Sequence, residues 1–122
     1  MTTVGQFAYT TLINSTALTA LVPATNIYPT WSEAITQFPG VYFCDSQYDI
    51  EFADELPQGN FGEITIDVFV RDDSPDPISQ IICSLFRGLY WSCTGNTDVP
   101  DPETAVRHRH MIFSRPLMPG YI

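Results

Sequence analysis

The sequence predicts an α+β fold: a small antiparallel sheet of about four strands with two main helices packed on one face, in the order α-β-β-β-α-β. Three observations predict it. Gly62 to Arg71 alternates with a period of two, sending Ile64, Ile66, Val68 and Val70 to one side and Glu63, Thr65, Asp67 and Arg71 to the other. Ile78, Ile81, Ile82, Leu85 and Leu89 recur at the spacing of one helix face. Consecutive strands joined by short polar connections favour antiparallel pairing, with both helices on the same layer. The 122 residues suit one domain, long enough to bury its own core.

Each element follows from local pattern. Thr2 or Thr3 caps a helix over 4–13, whose inner face is Val4, Phe7, Ala8, Thr11 and Leu12. Ser15 caps a second short turn through Ala17, Leu18, Ala20 and Leu21, which Pro23 ends. Asn26 to Tyr28 is a short extended piece closed by Pro29, and Phe38-Pro39-Gly40 marks a turn before a strand from Val41 to Asp49. The polar, acidic stretch from Asp49 to Gly62 reads as a loop or extended hairpin tip. Asp72 to Pro77 supplies the acids and prolines of a helix start. That helix is expected to end near Ser92, with Gly95 as its stop. Thr94 to Thr104 reads as a loop and Val106 to Ser114 as the last strand. Pro116 and Pro119 then make 115–122 a proline-rich C-terminal tail.

Charge narrows the functional classes. The formal net charge is −9, with 14 acids against five basic residues, all of them Arg. Residues 1–70 carry eight acids and no Arg, whereas Thr104 onward carries three Arg, two His and no acid. Nucleic-acid readers present a basic face, so specific nucleic-acid binding is not expected. No apolar run is long enough to cross a bilayer, so no membrane role is expected either. The opening residues lack the positive charge of a secretory signal, and an odd number of widely spaced cysteines does not form a disulfide framework; both point to a reducing cytoplasm.

Site chemistry is sparse. His108 and His110 form a possible metal pair, but the sequence offers no third ligand and flanks them with the cations Arg107 and Arg109. They read as surface or interface imidazoles. Cys44, Cys83 and Cys93 read as small core thiols. Three acidic clusters (Asp49, Glu51, Asp54 and Glu55; Asp72, Asp73 and Asp76; Asp98, Asp101 and Glu103) lack the glycine and terminal Glu of a calcium loop and read as solvated surface. No phosphate loop, nucleophile elbow or paired-cysteine zinc pattern occurs. The reading is of a non-enzyme that uses no cofactor.

Several stretches, taken in order, resemble a family. They are the N-terminal helix, Ala17-Leu18-Thr19-Ala20-Leu21-Val22-Pro23, Asn26-Ile27-Tyr28-Pro29, Phe38-Pro39-Gly40-Val41-Tyr42-Phe43 and Gly62 to Val70, then the helix from Pro77 and a strand ending near Phe113. Together they resemble the tail-completion, or tail-terminator, proteins of long-tailed bacteriophages, from about Val4 to Ser114. The resemblance implies a single terminator-like domain over 1–122. It implies a ring, typically of six subunits, on the head-proximal end of the tail tube. Such a ring ends tube polymerisation and offers a docking surface to the neck or head connector. The implied partners are further copies of the chain, the tail-tube protein and the neck protein. The implied location is the virion tail, assembled in the host cytoplasm. The chain departs from typical members in having no Lys and in its proline-rich end. The competing class is a monomeric acidic binding module, an inhibitor or nucleic-acid mimic. Self-association separates the two.

The split charge suggests how subunits meet. A head-to-tail ring sets different surfaces of one chain against each other. Arg107, Arg109 and Arg115 are therefore expected to face acids of a neighbour or of the tail-tube partner, foremost the neighbour's Asp49, Glu51, Asp54 and Glu55. Strand alternation puts Arg107 and Arg109 on one face and His108 and His110 on the other.

Overall fold

In the computed structural model, residues 4–29, 37–49, 52–53, 56–57, 60–100 and 105–117 are described. Helix α1 (Val4–Ile13) and the single turn α2 (Thr16–Thr19) form where expected. The Ser15 hydroxyl accepts from the Leu18 amide at 3.1 Å and caps α2. Strand β1 (Ile27–Pro29) follows, then β2 (Gly40–Asp49). The small antiparallel pair β3 (Phe52–Ala53) and β4 (Leu56–Pro57) lies between β2 and β5 (Asn60–Arg71) in the chain. Helix α3 (Asp76–Arg87) and strands β6 (Ser92–Val99) and β7 (Val106–Leu117) complete the chain.

The main sheet has five strands in the order β1-β2-β5-β7-β6. Pairing is antiparallel except between β1 and β2, which run parallel. The alternation in β5 has the expected phase, and Ile64, Ile66 and Val68 are fully buried. Beside them lie Val41 and Phe43 of β2 and Met111 and Phe113 of β7, on the same sheet face. Val4, Ala8 and Leu12 of α1 and Ile78, Ile82 and Phe86 of α3 close over that face to make one core. None of the helices among the described residues is long and apolar enough to cross a membrane.

Four expectations need correction. Helix α3 stops at Arg87 rather than near Ser92, and Gly88 rather than Gly95 caps it. The stop is a Schellman turn: the Trp91 amide reaches back to the Phe86 carbonyl at 2.9 Å and the Tyr90 amide to Arg87 at 3.0 Å. Tyr90 takes the left-handed position at φ 69°. Leu89 therefore lies past the helix and is exposed, and Phe86 fills the core position in its place. The stretch read as a loop from Thr94 is mostly strand β6, an edge strand of polar sequence held by backbone pairing to β7. It bulges between Cys93 and Gly95, where a side chain on Gly95 would crowd Ile112. Finally, residues 115–117 of the expected tail belong to the sheet, since β7 runs to Leu117 with Pro116 opposite Phe61, and residues 118–122 lie outside the described residues. Among the described residues β6 no longer flanks β7 beyond Ser114, and an edge left unpaired is where a strand tolerates proline.

Candidate functional site

Strand β7 divides two clusters between its faces. Its inward residues are Met111 and Phe113 under the helices, and Arg109 lies on that same side. The Arg109 guanidinium bridges Asp98 of β6 and Asp76 in the first turn of α3, both at 2.7 Å. It also donates to Ser79 Oγ and Asn96 Oδ1, each at 3.4 Å. The fork geometry of Arg suits this bridging, and the two acids lie where a helix start and an edge strand converge. The hydrogen bond from Arg109 holds the Asp76 carboxyl below the usual carboxylate range, against the opposing effect of desolvation. Hydrogen bonding to Asp98 likewise holds the guanidinium proton more tightly than usual.

On the opposite face, Asp67 of β5 stands between two imidazoles of β7. His108 Nε2 and His110 Nδ1 each lie 2.7 Å from Asp67 Oδ1. Register explains the meeting: Asp67 pairs directly with His110, and His108 is the next residue on the same face, opposite Phe69. The Phe69 ring stacks on His108, with centroids 4.0 Å apart and an interplanar angle of 19°. An aromatic row continues from Phe69 to Tyr42 and Tyr28, at 5.7 and 5.0 Å. Burial pushes the Asp67 carboxyl up, but the hydrogen bonds and charge of the two histidines outweigh it and leave the group below its ordinary value.

The residues expected at a subunit interface are dispersed. Arg107 is exposed at the end of the sheet where β7 begins, paired with Val70. Arg109 is engaged by acids of its own chain, as described. Arg115 Nη1 donates to the Leu89 carbonyl at 3.0 Å. Asp49 ends β2 opposite Asn60. Glu51, Asp54 and Glu55 lie outside the described residues. Arg107 and Asp49 thus belong to opposite ends of β5, ten residues apart between Val70 and Asn60, or about 33 Å.

Sequence reasoning paired the two histidines but missed Asp67, whose partnership depends on the β5–β7 register. Alternation along β5 had placed Asp67 on the outer face, and only the pairing adds which strand lies beside it. The thiols of Cys44, Cys83 and Cys93 are half-buried. Burial, followed by the neighbouring Cys93, raises the Cys83 thiol and so disfavours its nucleophilic form.

No family model matches the chain, and no curated protein is significantly similar to it in sequence. A solved structure is similar in fold: a chain of a structure described as the virion of a native gene transfer agent particle. The two are 14% identical, the match covers 91% of each chain, and the TM-score is 0.60. At that identity the likeness is one of fold, and it spans nearly the whole domain.

Proposed function

We propose that the chain is a structural protein of a phage-like virion, forming a ring at the head-proximal end of the tail tube. There it ends tube polymerisation and presents a docking surface to the neck or head connector. The observation that carries this reading is the fold shared over 91% of each chain with a chain from a gene transfer agent virion. The order of sequence segments, which resembles tail terminators, points the same way. The separation of charge fits a ring as well. Arg107 and the Asp49 end of the hairpin cannot meet within one chain, whereas a head-to-tail neighbour can bring them together.

Light scattering coupled to size exclusion, with negative-stain electron microscopy of the same fractions, tests the proposal. Rings of uniform subunit number, six in the family the sequence resembles, are the expected result. A protein that stays monomeric at every concentration, alone and with tail-tube protein, overturns it.

A further inference from the structure

We infer that Asp67, His108 and His110 form a binding site for a zinc-class divalent cation on the sheet face opposite the helices. Two imidazoles and one carboxylate are a donor set that suits zinc and its neighbours in the transition series. The three donor atoms all lie within 4.8 Å of one another, and each nitrogen is 2.7 Å from the shared oxygen. A tetrahedral ion with bonds of about 2.1 Å spaces its ligand atoms about 3.4 Å apart, so small side-chain rotations suffice to admit it.

Two objections visible in the sequence disappear in the fold. The missing third ligand is Asp67, brought in from β5 by register. The flanking cations lie across the sheet, where Arg109 is neutralised by Asp76 and Asp98. The site also has features that orient ligands. Two of its members come from one strand and the third from its paired neighbour, so the backbone spacing is fixed. Phe69 stacks on His108 and limits rotation of that ring. His108, Asp67 and His110 keep 17%, 26% and 34% of their side-chain surface exposed, which leaves a path for the ion and a solvent-side position for water as fourth ligand.

The test is calorimetric titration of tag-free protein with zinc, repeated with cobalt as a visible-absorbance reporter of coordination geometry. One ion per chain and a zinc-dependent rise in thermal midpoint are expected. Loss of an outer-shell partner alone commonly costs about 10–100-fold in metal affinity. His110→Ala and Asp67→Asn, each shown folded by circular dichroism, should therefore weaken binding by at least about 100-fold. Absence of zinc binding at micromolar concentration overturns the inference. So does binding that survives both substitutions but is lost in Cys83→Ser with Cys93→Ser, since that result assigns the ion to the thiols. The outcome does not depend on ring formation, because the three ligands belong to one chain.

Discussion

Ile66 has no exposed surface and lies at the centre of the sheet face that the helices cover. Truncation to Ala leaves a cavity that close-packed neighbours fill only in part, so Ile66→Ala should cost about 2–4 kcal/mol. Urea unfolding checks this, and an unchanged midpoint would mean that the outer face of β5 had been mistaken for the inner one. Charged residues behave differently because they are wet. Asp76 is lowered by Arg109, so its contribution to stability is present above the unfolded carboxylate pKa, near 3.8, and fades as pH falls through the lower folded value. Both partners can be reached by solvent and salt, so the energetic effect is small. A carbon-detected titration of the Asp76 carboxyl should show a midpoint below the ordinary range. In Arg109→Met that midpoint should move back up. Asp67 illustrates what a sequence does and does not disclose about a residue. Its outward orientation is written in the alternation of β5, while its two histidine partners are set 41 and 43 positions away by strand pairing.

At the scale of elements, boundaries follow from backbone chemistry that periodicity does not encode. The repeat of Ile78, Ile81, Ile82 and Leu85 correctly marks a helix, but Leu89 continues that repeat after the helix has stopped. What stops it is the return of the Trp91 amide to Phe86, supported by packing of the Trp91 and Phe86 rings at 6.5 Å. The turn requires a left-handed residue, and Tyr90 fills it with 83% of its surface exposed. That conformation costs a non-glycine residue about 1–2 kcal/mol, and glycine gives back about 0.5–1 kcal/mol in unfolded-state entropy. Tyr90→Gly should therefore stabilise the monomer by about 0.5–1 kcal/mol, visible as a higher thermal midpoint. A lower midpoint would show that the exposed ring makes a contact worth more than the strain. Strand β6 was illegible for a related reason. Ser92 to Val99 has no apolar alternation, and its place at the sheet edge is set by the β7 ladder rather than by its own residue preferences. By contrast β5, paired on both sides and buried on one, declares itself in sequence.

At the scale of the whole molecule, charge decides what the surface meets. A net charge of −9 per chain, multiplied in the proposed ring, would repel phosphate. The protein should pass a duplex-DNA column at physiological salt, and retention that salt reverses would revive a nucleic-acid role. The same charge is unevenly placed, and that unevenness makes the last prediction. Arg107 is exposed at one end of the β5–β7 ladder, while Asp49 lies toward the other and precedes the acidic segment in sequence. The separation of about 33 Å along the strand prevents their pairing within a subunit. Arg109 has internal partners in Asp76 and Asp98, so reversing its charge would disturb the fold and assembly together. Arg107 is the cleaner probe of the proposed subunit contact. Arg107→Glu should leave the monomer's circular dichroism and thermal midpoint unchanged but shift assembly to higher protein concentration. The paired change Asp54→Arg with Glu55→Arg should partly restore it, because opposite charges again face each other across the contact. High salt should weaken assembly of the proposed ring in the same direction, as it does any exposed charge contact. Rings that form as readily from Arg107→Glu as from the native sequence would remove Arg107 from the contact and require another surface to join the subunits.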